Sequence, residues 1–159
     1  MKAVYPGRFD PPTLGHLDII KRASSLFDEV VVLCAEDATK KTLFSKEERI
    51  EMLNEITKEI KGISVSSFKG LLVDYLKKNK IKVVIRGLRA VSDFEYEFQM
   101  ALTNKRLYPE LETVFLMTDE AYFYLSSSVV KELSNLGRIP KGFVPEQIEK
   151  RLKSKFETP

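Results

Sequence analysis

Residues 5–16 (Tyr5-Pro6-Gly7-Arg8-Phe9-Asp10-Pro11-Pro12-Thr13-Leu14-Gly15-His16) hold the only histidine of the chain, set in a turn with three prolines and two glycines. The stretch follows a short apolar strand, Ala3-Val4-Tyr5, which the prolines stop. Thr13-x-Gly15-His16 then opens a helix whose apolar residues are Leu17, Ile20, Ala23 and Phe27. A strand, a glycine turn and a helix start present free backbone N–H groups and the positive end of a dipole to the same point. The chemistry that fits is anion binding, and phosphate above all.

Three further groups point the same way. Lys40-Lys41 follows the apolar run Val30–Ala35, Arg86-Gly87-Leu88-Arg89 follows Val83-Val84-Ile85, and Ser126-Ser127-Ser128 opens a helix. Taken singly, each has an ordinary explanation: a solvated loop, a surface pair, an N-cap. Arg86 is harder to dismiss, because a guanidinium at the end of a buried strand needs a partner. Taken together, guanidinium forks, ammonium groups, hydroxyls and free amides suit a polyphosphate.

The elements that must position these groups alternate. Strands are expected at 3–5, 30–35, 63–66, 83–85 and 113–117. Helices follow the Thr13 turn, a Ser45-x-x-Glu48 capping box, Gly70 (with Leu71, Leu72, Tyr75 and Leu76 inward), a second box at Ser92-x-x-Glu95, and Ser126. The Ser126 helix is stopped by Gly137, and Pro145 begins a last one. The expected fold is α/β: a doubly wound, five-stranded parallel sheet, Rossmann-like, with right-handed crossovers. Its ligand belongs beyond the carboxyl ends of the strands at the switch point, where all the groups above fall.

The chain of 159 residues, 43% hydrophobic and 31% charged, is read as one domain over 1–159 with a substantial core. A net charge of +3 is small for a nucleic-acid binder, so no nucleic acid is expected. No apolar run can span a bilayer and no signal segment opens the chain, so a cytoplasmic protein without a membrane partner is expected. Cys34, the single cysteine, sits in the second strand as a buried thiol. Neither G-x-G-x-x-G after the first strand nor a Walker A loop occurs, and there is no nucleophile elbow. No His/Cys cluster offers a metal site. Phosphate chemistry without a P-loop remains.

These residues carry a resemblance. The T-x-G-H motif and the Ser triplet resemble the nucleotidyltransferase superfamily. The fuller set resembles bacterial phosphopantetheine adenylyltransferase: Tyr5-Pro6-Gly7-x-Phe9-Asp10-Pro11, Lys40-Lys41, Phe44, Glu47-Glu48-Arg49, Ile85–Arg89, Asp93-Phe94-Glu95-Tyr96-Glu97 and Ser126–Ser128. The match runs over essentially the whole chain. It implies an enzyme that joins ATP and 4′-phosphopantetheine into dephospho-coenzyme A and pyrophosphate, in a site rich in cations and poor in carboxylates.

The resemblance also implies roles. His16, Lys40 and Arg86 would be catalytic, with His16 on the α-phosphate and Lys40 and Arg86 orienting the acceptor phosphate. ATP would be bound by Arg8, Phe9, His16, Gly87, Leu88, Arg89, Glu97, Tyr122, Phe123, Tyr124, Leu125, Ser126, Ser127 and Ser128. The acceptor would be bound by Arg8, Lys40, Leu72 and Arg86. Mg2+ would bridge phosphates, coenzyme A would compete as feedback inhibitor, and the assembly would be a homohexamer. The chain departs from the family at Arg8, where Ser or Thr is usual, and at Asp37-Ala38, where Asn-Pro is frequent. A nucleotidyltransferase with another acceptor, such as nicotinate mononucleotide or a polyol phosphate, is the nearest alternative. A weakly active coenzyme A or ATP binder is the next.

Overall fold

The computed structural model describes residues 1–139 and 141–157. Five strands, β1 (Lys2–Gly7), β2 (Glu29–Glu36), β3 (Ile63–Lys69), β4 (Val83–Leu88) and β5 (Glu112–Met117), form one parallel sheet in the order β3-β2-β1-β4-β5. Helices α1 (Leu14–Leu26), α2 (Lys46–Thr57), α3 (Leu72–Lys78) and α4 (Val91–Leu107) are the crossovers, and α5 (Ser127–Asn135) and α6 (Glu146–Glu157) follow. The doubly wound sheet expected from the alternation is present. Its order reverses between β1 and β4, which opens a crevice at their carboxyl ends.

Period-two side-chain alternation divides the core. Ala3, Tyr5, Val30, Val32 and Ile85 pack on one face with Ile19 and Ile20 of α1 and Leu53 of α2. Val4, Val31, Leu33 and Val84 pack on the other with Leu76, Ile81 and Leu111. A third cluster joins Phe44 and Met52 to Val130, Ile148 and Leu152, tying α5 and α6 to α2.

The start of α1 is fixed by a reciprocal cap. Thr13 Oγ1 accepts from His16 N at 3.2 Å, and His16 Nδ1 accepts from Thr13 N at 3.0 Å. The Ser45–Glu48 box forms as expected, with Ser45 N to Glu48 Oε2 at 2.7 Å. Gly137, at φ 74°, ends α5.

Three local expectations are corrected. Ser92 does not cap: α4 begins at Val91 behind an uncapped Ala90, and the first-turn carboxylate of Asp93 turns back to Arg89. Leu71 is not inward but is the exposed N-cap of α3. Arg86, Gly87 and Leu88 lie within β4 rather than after it. Helix α4 buries none of its residues within the chain, although Phe94 packs on Phe98 and Phe115. Among the described residues no helix is long and apolar enough to cross a membrane.

Candidate active site

The crevice is a cleft of about 440 Å³ over the ends of β1 and β4, flanked by the starts of α1, α4 and α5. Its wall begins with the turn after β1. A Cβ on Gly7 would lie 2.9 Å from the Phe9 ring, so only glycine allows that ring to fold back. Phe9 takes φ 51°, uncommon for a bulky residue, with its ring buried edge-on to Tyr5 and His16 at 5.5 and 4.9 Å.

The cap sets the tautomer of His16. Nδ1 accepts the Thr13 N–H, so the proton of the neutral ring sits on Nε2. Desolvation in the cleft wall, and then the charges of Arg89 and Arg86, lower its pKa to about 3. At neutral pH the residue is therefore a hydrogen-bond donor without charge, not an acid or a cation.

Arg86 has the partner its position requires. Nε and Nη2 reach Glu97 Oε2 and Oε1 at 2.7 and 2.6 Å, and Nη1 donates to the Pro6 carbonyl at 2.9 Å. Arg89 Nε lies 3.6 Å from Asp93 Oδ2, and its Nη1 donates to the Leu125 carbonyl at 3.2 Å. Lys131 of α5 pairs with buried Asp10 at 3.1 Å. The expectation of a carboxylate-poor site is corrected: Asp10, Asp93 and Glu97 each hold one of these cations. Half-buried charge is costly without a counter-ion, so the fold supplies one before any ligand arrives.

The cleft lining brings together Arg8, Phe9, His16, Arg86, Gly87, Arg89, Glu97, Leu125, Ser126, Ser127 and Ser128 of the expected set. Ser126 Oγ caps Val129 N, Ser127 Oγ donates to the Pro11 carbonyl at 2.8 Å, and the start of α5 faces the cleft. Tyr122 packs by its Cβ against Gly15. Leu88, Phe123 and Tyr124 line an adjoining apolar hollow of about 380 Å³, with Arg89 on the shared rim. Leu72 lines a narrower groove of about 110 Å³ that meets the cleft at Arg86, Tyr96 and Glu97. Lys40 does not line the cleft: it is exposed on the loop between β2 and α2.

Lining residues missed from sequence include Asp10, Asp93, Tyr96, Thr118 and Lys131. Lys131 carried a usable signal, since it stands four residues after Ser127 on one helix face. Thr118 carried none. A neutral N–H donor, paired guanidinium groups and the start of a nine-residue helix are together the kind of groups that suit phosphate and charge developing at phosphorus, with no strong base among them.

The sequence pattern of the cytidylyltransferase-like family matches residues 4–133. A protein of Dictyoglomus thermophilum named phosphopantetheine adenylyltransferase is 58% identical over 156 residues, covering 98% of this chain and 95% of that one. Proteins of the same name from Syntrophus aciditrophicus and Moorella thermoacetica are 56% and 54% identical, covering 97% of this chain and 93% and 96% of theirs. Among solved structures, a bifunctional NMN adenylyltransferase/ADP ribose pyrophosphatase of Francisella tularensis matches with TM-score 0.74 at 17% identity, over 99% of this chain and 49% of that one. A putative nicotinate-nucleotide adenylyltransferase of Vibrio parahaemolyticus matches with TM-score 0.70 at 15% identity, over 95% and 97%. These two likenesses are of fold.

Proposed function

The chain belongs to the phosphopantetheine adenylyltransferase family, within the cytidylyltransferase-like group, and we propose that its cleft carries out the reaction of that name. ATP and 4′-phosphopantetheine give dephospho-coenzyme A and pyrophosphate. An oxygen of the acceptor phosphate forms a bond to the α-phosphorus of ATP. The bond from that phosphorus to the bridging oxygen breaks, and its electron pair leaves with pyrophosphate.

The single observation that carries the reading is the capped, neutral His16 at the switch point, facing the start of α5 across the cleft. An acceptor phosphate, with a second pKa near 6, is already largely dianionic at neutral pH and needs no strong base. The task is to align two anions and to stabilise charge at phosphorus. His16 Nε2–H donates to an α-phosphate oxygen. Arg89 and the free amides of Ser127 and Ser128 hold the β- and γ-phosphates, while Gly87 and residues 122–125 frame the adenosine. Arg86 and Lys40 orient the acceptor phosphate, with Lys40 swinging in from its loop, and the groove at Leu72 takes the pantetheine arm.

Magnesium belongs to this reading as the ion that offsets charge on the leaving pyrophosphate. Among the described residues no three His, Cys, Asp or Glu side chains gather into a cage, and the cleft carboxylates are engaged by cations. Phosphate oxygens and water suit the ion better than this donor set. Coenzyme A, which contains the product, competes for the same cleft. A homohexamer is supported by α4, where Tyr96, Phe98, Leu102 and Leu107 stand exposed on a single chain. A cytoplasmic location fits the free thiol of Cys34.

Pyrophosphate release, measured with ATP, magnesium and either 4′-phosphopantetheine or nicotinate mononucleotide, tests the reading. Release with the first acceptor alone supports it. Release with the second alone overturns the acceptor, and release with neither overturns the reaction. Sedimentation velocity tests the hexamer.

A further inference from the structure

We infer that the segment leading into α6 positions His16 from outside the cleft. The Phe143 carbonyl accepts the first amide of α1, Leu14 N, at 2.9 Å, and so holds the helix start on which the imidazole stands. No residue of 141–157 lines the cleft, so the segment acts through His16 and not on a substrate. The inference rests on His16 as the working donor of the reaction assigned above.

Three observations carry it. First, the bond falls inside the His16 cap. Thr13 N donates to His16 Nδ1 at 3.0 Å, and His16 N donates to Thr13 Oγ1 at 3.2 Å. The ring keeps its tautomer and direction only while Thr13 and His16 hold their spacing, and Leu14 and Gly15 set that spacing. The first amides of a helix have no partner within it, so the Leu14 N–H must be satisfied from elsewhere. A Cβ on Gly15 would stand 3.6 Å from Tyr122 Cβ and 3.7 Å from Thr118 Cγ2, so residues after β5 wall the neighbouring position. Two remote stretches of chain thus hold the cap.

Second, the carbonyl stands on a fixed support. Gly142, at φ 77°, makes the turn that leads into it. Val144, Ile148 and Leu152 are buried with Phe44, Met52 and Val130, and Phe143 packs against that cluster. Ile148 N and Glu149 N donate to the Pro145 carbonyl at 2.9 and 3.0 Å, so α6 begins almost at once after Phe143.

Third, α6 is fastened to α2 along its length. Arg151 Nη1 and Nη2 lie 3.4 and 3.5 Å from the Glu51 and Glu55 carboxylates. Lys155 Nζ lies 3.4 Å from Glu48 and 5.3 Å from the centre of the Phe44 ring. Such surface pairs are weak one by one, and the apolar underside supplies most of the attachment. Together they keep the helix, and with it the Phe143 carbonyl, from sliding. A donor held in place before substrate arrives needs no reorganisation when charge develops, and a small misplacement of it costs rate.

The test compares Leu14→Pro with Leu14→Ala in the full chain. His16 is the only histidine, so the imidazole 15N spectrum reports it alone. Proline suits the first helical position, and Thr13 before it is already extended, at φ −114° and ψ 170°. It removes the N–H, and its ring takes the place of the bond, so the Phe143 carbonyl must withdraw. Leu14→Ala keeps the N–H. Wild type and Leu14→Ala should share one spectrum, with the proton on Nε2, while Leu14→Pro should show both tautomers in exchange. In pyrophosphate release, Leu14→Pro should lower kcat about 10- to 100-fold, with both KM values within about threefold of wild type. The spectrum is read without substrate, so it judges the positioning whichever acceptor the enzyme uses, and wild-type release with 4′-phosphopantetheine decides the reaction separately. A wild-type spectrum in Leu14→Pro overturns the inference even if the variant melts lower, because the bond is then structural only. An equal change in Leu14→Ala overturns it too. Should Leu14→Pro not fold, Ile148→Val thins the packing beneath the segment. It should speed exchange of the Leu14 amide and move the same imidazole signals by less, and signals that stay in place overturn the inference.

Discussion

Arg86 and Glu97 meet in a two-point pair, 2.7 and 2.6 Å, between strand β4 and the second turn of α4. The pair joins strand to helix across the cleft wall. It also means that the Arg86 charge is offset in the resting protein. A phosphate arriving at Arg86 must share the guanidinium with Glu97, using the donors that the carboxylate leaves.

Glu97→Gln should separate the structural and functional sides of this pair. Removing one partner of a half-buried pair should cost on the order of 2 kcal/mol, read as a lower melting temperature. The freed charge on Arg86 should at the same time tighten inorganic phosphate binding by calorimetry. A variant as stable as wild type, with unchanged phosphate affinity, would show that the pair does neither job.

His16 bears on rate rather than on charge. With Nδ1 held by Thr13 N, only Nε2–H is left to act. His16→Ala should lower kcat about 10²- to 10³-fold, as removal of one preorganised donor does elsewhere, with ATP affinity changed far less. The acidic limb of the kcat profile should persist in the variant, since it belongs to the acceptor phosphate with its pKa near 6. Loss of that limb in His16→Ala would return the titration to the imidazole.

The same ring predicts a stability profile. Its pKa is about 3 when folded against 6.5 for the free side chain, so below pH 6.5 the unfolded chain takes up the proton first. Stability from this group is complete above pH 6.5 and falls as the pH drops. The loss approaches about 1.4 kcal/mol per pH unit at most. Urea unfolding between pH 7 and 5 should therefore be flatter for His16→Gln than for wild type. Parallel profiles would show that the resting ring is not held neutral.

Sequence made the sheet legible because β1, β2 and β4 are buried on both faces and read as short apolar runs, β-branched in β2 and β4. It made the site legible because a parallel sheet sends every such run to one edge, so Arg8, His16, Arg86 and Ser126–Ser128 could be gathered without coordinates. What stayed hidden was pairing. Glu97 stood in the sequence as a ligand contact, whereas in the fold it binds Arg86. Asp10 read only as part of a motif, and it proves to bridge two loops. Such contacts span 11 to 121 positions along the chain and leave no periodic trace. Lys40 lies on the expected edge of the sheet, on a loop that stands outside the cleft lining.

That loop gives the last prediction. Asp10, 2% exposed, accepts from Leu43 N and Phe44 N at 2.9 Å each, and pairs with Lys131 of α5. One carboxylate thus ties the turn after β1 to both the end of the Lys40 loop and the wall that carries Ser127. Asp10→Asn keeps the volume but has one acceptor oxygen where two were used, so one of the two amides loses its acceptor and Lys131 loses its counter-charge. The unpaired buried groups should cost about 2 to 3 kcal/mol, and the amides of Leu43 and Phe44 should exchange with solvent faster. Lys131→Met removes the cation and leaves both amide bonds, so it should spare the exchange rates of Leu43 and Phe44 while weakening phosphate binding. If Lys131→Met speeds those amides as much as Asp10→Asn does, the loop is ordered by the ion pair and not by the amide bonds.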